Sequence, residues 1–148
     1  TAPNPQSDAF VRVQQHSNAW LSGLRTLDEL PTTDWTVHEW LYFINNLPLS
    51  ISPGQLQQLD NGFNLTQSTN SEIAHAWYLL ALKTGYREVL PALERYLISI
   101  GRRKLILPLY RELAKTPDGL AFARKVYQQA RPGYHPLAQG SVDEILKQ

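Results

Sequence analysis

The sequence predicts an all-α protein in which antiparallel helix pairs form two layers, as in the right-handed superhelices of armadillo and HEAT repeats. Apolar residues recur at helical spacing behind capping residues along most of the 148 residues. No stretch alternates Val, Ile and Thr between Gly or Pro as a strand would. From Thr69 onward, predicted helices of about 13 to 16 residues are joined by very short turns, which place consecutive helices antiparallel. No clean sequence repeat is present, so the superhelix is predicted from element lengths alone.

The first two helices are bounded by local signals. Apolar residues recur over residues 8–21, and Gly23 is predicted to end that helix. Residues 36–39, Thr-Val-His-Glu, predict a capping box, in which the first and last side chains each bond a backbone N–H of the first turn. The apolar stripe behind the box ends at Pro48, which cannot continue a helix.

The third and fourth helices are predicted in the same way. Residues 52–55, Ser-Pro-Gly-Gln, combine an N-capping serine with a proline at the first helical position. This helix is expected to end near residues 61–62, Asn-Gly. Residues 69–72, Thr-Asn-Ser-Glu, predict a second capping box, and the helix behind it should end at Gly85.

The remaining four helices follow with little loop between them. We expect them over residues 87–100, over residues 104–115, from Thr116 to about Ala130, and in a short tail capped by residues 141–144. His135 precedes Pro136 in a segment predicted to be extended, where a structural hydrogen bond is its expected role.

Length and composition indicate one folded domain. A chain of 148 residues with 43% hydrophobic content can bury a substantial core. There is no Cys, which excludes disulfides and thiolate chemistry, and no apolar run of the roughly 20 residues that a membrane helix needs. The chain has no Met and begins with Thr1, so we expect it to be a piece of a longer protein. Nothing in the composition selects a compartment.

Charge is distributed unevenly along the chain. Residues 83–131 hold eleven Lys or Arg and four Asp or Glu, a local net charge of +7, whereas the remainder carries −6. Two interpretations stay open: a face that receives an anionic partner, or ordinary solvated helix surfaces. Nucleic acid is not the expected partner, because the pI is only about 8.0 and the basic region consists of amphipathic helices rather than an exposed basic arm.

No catalytic or metal site is complete in the sequence. His38-Glu39 begins an HExxH pattern, but the position of the second zinc-binding His is Tyr42. The other histidines are scattered singly, and neither a nucleophile motif nor a Gly-rich phosphate loop is present. We therefore predict no catalytic residue and no metal ligand in this chain.

The most informative cluster is Gly101-Arg102-Arg103-Lys104, at the end of one predicted helix and the start of the next. A helix N-terminus exposes unpaired N–H groups and a positive dipole end. Arg adds a planar fork suited to a carboxylate, and Lys adds a point charge. Directly after a glycine, Arg102 and Lys104 can both face one anion, although solvated charges are the simpler interpretation.

The stretch from Ser99 to Ala114, which contains this cluster and then Pro-Leu-Tyr-Arg-Glu-Leu-Ala at residues 108–114, resembles the C-terminal domain of leukotriene A(4) hydrolase. That enzyme belongs to the gluzincin zinc aminopeptidases, which include aminopeptidase B. The resemblance runs from about Phe10 to the end of the chain. Three further matches carry it: Asn70-Ser71-Glu72-Ile73 before Trp77, Tyr127-Gln128, and His135-Pro136.

The resemblance implies that residues 1–148 form the single helical C-terminal domain of a zinc metalloaminopeptidase, a hydrolase that removes N-terminal residues from short peptides. The zinc ligands and HExxH would lie upstream, so the isolated chain should be inactive. Its partners would be the peptide substrate and the upstream catalytic domain. The domain would wall the active-site cleft, with Arg102 as the main ligand of the substrate carboxylate and Lys104 as the assisting charge.

Two residues depart from the family pattern. Arg103 stands where an uncharged residue is usual, and Leu105 where an aromatic is usual. The role of Arg103 is open: it could alter the local field or point to solvent. The alternative function is a helical-repeat interaction module whose basic face docks an acidic protein.

Overall fold

The computed structural model describes residues 5–147, which fold into eight α-helices and short 3-10 turns without any strand in this range. The helices are α1 Pro5–Leu21, α2 Val37–Asn45, α3 Pro53–Phe63, α4 Ser71–Thr84, α5 Leu90–Ser99, α6 Arg103–Leu113, α7 Pro117–Ala130 and α8 Pro136–Leu146. The all-α prediction is confirmed. No helix in the described range is long and apolar enough to span a bilayer.

The chain divides into two compact units, Thr1–Leu80 and Ala81–Gln148, and the division falls inside α4. The charge asymmetry follows the division. The first unit contains two basic and seven acidic residues and the second contains twelve and six, so their net charges are −5 and +6.

The first unit is built around aromatic contacts. Phe10 of α1 stacks on Tyr42 of α2 with ring centroids 4.6 Å apart. Trp40 of α2 meets Phe63 of α3 edge to face at 4.9 Å. Such pairs contribute about 0.5–1.5 kcal/mol beyond the area they bury. Aromatic side chains therefore join the first three helices.

In the second unit, helices two positions apart in the chain pack together. Helix α5 packs against α7, α6 packs against α8, and α6 also contacts α7. Contacts between alternate helices are consistent with the predicted pairing. The wider superhelix stays a prediction.

Several predicted helix ends are confirmed, and three are wrong in detail. Thr36 and Ser52 cap α2 and α3 with complete capping boxes, as expected. Helix α4 is capped by Asn70 instead of Thr69, because the Asn70 side chain accepts from the amides of Glu72 and Ile73 at 3.0 and 2.9 Å.

The other two corrections concern α3 and α8. Gly62 does not end α3 but lies within it, where a Cβ would come within 2.9 Å of Leu27 Cδ2. Asn64 ends the helix in the left-handed region at φ 53°. The tail helix starts at Pro136 rather than near Ser141, and His135 Nδ1 caps it by accepting from Leu137 N at 3.1 Å. The expected structural hydrogen bond of His135 is therefore present, in a helix cap.

Candidate anion-binding site

The predicted cluster at residues 101–104, here called the basic corner, joins α5 to α6. Arg102 is the N-cap of α6, and no side chain at that position accepts a bond from the first turn. Helices α2, α3 and α7 differ, because Thr36, Ser52 and Thr116 accept from an amide of their own first turn. The positive end of α6 is thus left without an N-cap oxygen, which favours an anion there.

Arg102 is exposed and extended, with φ −71° and ψ 120°. Its side chain forms no hydrogen bond or ion pair with the part of the chain that the structure describes. Because its backbone is outside the helix, its side chain does not follow the helical rotation that turns residues two apart away from each other. Lys104, the second residue of α6, is also exposed. Both predicted site residues therefore lie at one helix start and face solvent.

The structure gives a partner to Arg103, whose role the sequence left open. Its Nη2 donates to Ser141 Oγ of α8 at 2.8 Å. The extra charge of the basic corner is therefore directed to a neighbouring helix. Sequence reasoning missed Ser141 as a partner, since it had placed this residue at a helix cap.

The buried Tyr134 lies near Gly101 of the basic corner and bonds to a second buried tyrosine. Tyr134 donates to Leu97 O of α5 at 2.5 Å, and its hydroxyl lies 3.0 Å from that of Tyr110 in α6. Burial raises the pKa of both Tyr110 and Tyr134 above that of free tyrosine, so both stay neutral. A Cβ at Gly101 would lie 3.9 Å from Tyr134 Cδ1. The side chain nearest to Gly101 is therefore uncharged.

A second polar group joins α7 to α8. Tyr127 donates to Asp143 Oδ1 at 2.5 Å, and Arg131 donates to both carboxylate oxygens at 3.1 and 3.0 Å. The hydrogen bond from Arg131, followed by that from Tyr127, lowers the pKa of Asp143 to about 2. Arg124 also donates to Leu146 O at 2.9 Å. These contacts hold the helix that carries Ser141 in place.

Glu39 of the incomplete HExxH pattern has a structural role. Glu39 Oε1 accepts from Thr36 N at 3.1 Å in the capping box. Within residues 5–147, no three His, Cys, Asp or Glu side chains are grouped so that they could hold a metal ion. The described residues therefore do not provide a ligand set for zinc.

Residues 35–146 match the family model described as leukotriene A4 hydrolase, C-terminal. Leucine aminopeptidase 2 of Neurospora crassa is 27% identical over 151 residues, which cover 97% of this chain and 22% of the relative. The protein of the same name from Chaetomium globosum is 29% identical, and the matched region covers 97% of this chain and 24% of the relative. That of Ajellomyces capsulatus is 32% identical over 67% of this chain and 15% of its own length. The chain thus spans about a quarter or less of these curated relatives.

Proposed function

The chain belongs to the family of leukotriene A4 hydrolase C-terminal domains, and from this we propose that it is the C-terminal part of a zinc aminopeptidase that shortens peptides from their N-termini. The membership confirms the resemblance found in the sequence. The three similar proteins named above are each called leucine aminopeptidase 2, which supports a peptidase as the parent. The zinc would be bound by residues upstream of this chain, where it would activate water for hydrolysis.

The role of this chain in the proposed enzyme is to bind the far end of the substrate. Arg102 binds the C-terminal carboxylate of a short peptide, Lys104 adds charge, and the helical domain walls one side of the cleft. The observation that carries this is the start of α6, where an exposed Arg102 lies beside a helix end without a capping oxygen. A carboxylate there would accept from the guanidinium and from the first-turn amides.

A remote carboxylate grip contributes to catalysis by orientation. Holding the C-terminus of the peptide places the scissile bond at a set distance, so binding energy far from the reaction lowers the barrier. It also limits peptide length, because a longer chain cannot place its carboxylate at Arg102. No step of bond cleavage is assigned to residues of this chain.

The test is Arg102→Ala in the full-length parent enzyme, assayed on a tripeptide and on the same tripeptide with a C-terminal amide. We expect kcat/KM for the free acid to fall roughly ten- to a hundredfold, since a charge-assisted hydrogen bond contributes about 1.5–3 kcal/mol. For the C-terminal amide, kcat/KM should change little, because this substrate lacks the carboxylate that Arg102 binds.

Arg111→Ala is the matched control, since it removes the same charge from the other end of α6, where Arg111 is exposed. This variant should keep the wild-type preference for the free acid. If Arg102→Ala lowers kcat/KM equally for both substrates, or for neither, the carboxylate grip is ruled out.

A further inference from the structure

Arg103 has a fixed partner 38 residues away. Its Nη2 donates to Ser141 Oγ at 2.8 Å, and the Ser141 hydroxyl in turn donates to Leu137 O at 3.0 Å. A hydroxyl has one proton, and here that proton is directed to Leu137. The lone pairs of the serine oxygen are therefore available to the guanidinium, and the side chain of Arg103 is directed toward α8.

A second contact lies next to the basic corner, at the end of α5. A Cβ added at Gly101 would lie 3.9 Å from Cδ1 of Tyr134, which precedes α8, and the hydroxyl of Tyr134 donates to Leu97 O in the last turn of α5. Tyr134 thus bonds the end of α5 to the segment before α8, while Arg103 bonds the start of α6 to α8 itself. These two hydrogen bonds, on either side of Gly101, position the start of α6 relative to α8.

The direction of the Arg103 side chain determines which positive charges an anion at the basic corner contacts. Successive residues of a helix are separated by about 100° of rotation, so Lys104 projects well away from the direction of Arg103. Arg102 precedes the helix and is extended. With its guanidinium on Ser141, Arg103 does not compete with Arg102 for the ligand.

We propose that Arg103 and Ser141 are positioning residues that hold Arg102 and Lys104 ready for the peptide carboxylate. This inference rests on the proposed function. The hydrogen bond between Arg103 and Ser141 is exposed to solvent, so it adds little to stability. Its effect is on preorganisation, because a disordered binding group loses entropy when the ligand binds.

The experiment measures KM and kcat of the full-length parent enzyme on the free-acid tripeptide for Ser141→Ala, Arg103→Gln and the double variant. We expect KM to rise about two- to tenfold in each, as for the loss of one exposed hydrogen bond that orders a binding group. The rise should be the same in the double variant as in the single ones, since all three remove one contact. The kcat and the turnover of the C-terminal amide should not change.

Three controls separate positioning from charge and from folding. Ser141→Thr keeps the hydroxyl and should keep the wild-type KM. Ser22→Ala removes a hydroxyl that likewise donates to a helix carbonyl, that of Ala19 in the last turn of α1 at 3.1 Å, and should have no effect. Arg111→Gln removes one positive charge from α6 without touching Ser141 and should also leave KM unchanged. Circular dichroism and Tm verify that each variant is folded.

The outcomes distinguish this inference from the proposed function. A wild-type KM in Ser141→Ala, or additive rises in the double variant, would overturn the positioning role even where Arg102→Ala weakens binding. If Arg102→Ala has no effect on the free acid, both the grip and its positioning residues are refuted.

Discussion

At the scale of single residues, two helical glycines differ in how much space surrounds them. Gly119 lies in the first turn of α7, where a Cβ would lie 2.2 Å from Leu113 O and 2.9 Å from Thr116 Oγ1. Gly140 lies within α8, and a Cβ there would meet no atom within 4 Å. The turn from α6 to α7 is therefore closed too tightly for any side chain at residue 119.

We expect Gly119→Ala to lower the free energy of unfolding by about 1–3 kcal/mol, because backbone must move to admit the methyl group. Gly140→Ala is the control and should raise it by about 0.5–1 kcal/mol, since alanine loses less entropy in a helix. Urea titration of both variants measures this. A Gly119→Ala chain as stable as the wild type would show that the α6–α7 turn is not closely packed.

The lowered pKa of Asp143 predicts that the stability of the folded chain depends on pH. Arg131 and Tyr127 favour its carboxylate form and hold its pKa at about 2 in the folded chain, against 3.8 without these partners. The stabilisation is therefore complete above about pH 4 and is lost as the pH falls through about 2. Asp143→Asn should have a lower Tm than the wild type at pH 6, and the difference should shrink toward pH 2.

Thermal unfolding from pH 6 to pH 2 measures this difference. Glu144→Gln is the control, because Glu144 pairs with Lys147 at 3.6 Å with both side chains over 70% exposed. Its Tm difference from the wild type should be small across the range. A constant Tm difference for Asp143→Asn would contradict the assigned role of the carboxylate.

At the scale of elements, the turn from α3 to α4 depends on one buried threonine. Thr66 Oγ1 donates to Asp60 Oδ2 at 2.6 Å and accepts from Trp77 Nε1 at 3.0 Å. Its carbonyl accepts from the hydroxyl of Tyr78 at 2.6 Å. Thr66 thus joins the end of α3 to the buried face of α4, although it lies in a segment that local patterns leave as loop.

Thr66→Val keeps the shape of the side chain and removes the hydroxyl. We expect a loss of about 1–3 kcal/mol in the free energy of unfolding, because the buried Trp77 and the half-buried Asp60 each lose a hydrogen bond. Thr33→Val, on an exposed 3-10 turn, is the control and should change stability by less than about 0.5 kcal/mol. Equal stability of the two variants, measured by denaturant unfolding, would show that the Thr66 hydroxyl is dispensable.

At the scale of the whole molecule, residues 5–147 contain helices and a basic corner, and within this range no three His, Cys, Asp or Glu side chains are grouped so that they could hold a metal ion. Our proposal assigns the zinc chemistry to the upstream part of the parent polypeptide. The net charge of +6 on the second unit, which contains the basic corner, suits the binding of a carboxylate. The single-domain organisation predicted for residues 1–148 stays a prediction.

We expect the isolated chain to be helical by circular dichroism and to hydrolyse no peptide, with or without added zinc. Its Tm should not rise with zinc, because a bound metal would stabilise the folded state by mass action. The full-length parent, assayed in parallel, should require zinc for activity. Zinc-dependent hydrolysis by the isolated chain would refute the assignment of the chemistry to the upstream part.

The sequence alone was sufficient for the helices, most of their caps, the family and the location of the basic corner. These signals are local, since a capping box or a proline acts within about four residues of itself. The tertiary structure decided what distant residues do together. Three contacts depend on how the helices pack. They are the hydrogen bond from Arg103 to Ser141, the hydrogen bond from Trp77 to the Thr66 hydroxyl, and the close approach of Gly119 to Leu113. Packing is a collective result of many weak contacts, so no local pattern could indicate which of three adjacent basic residues is directed to a neighbouring helix.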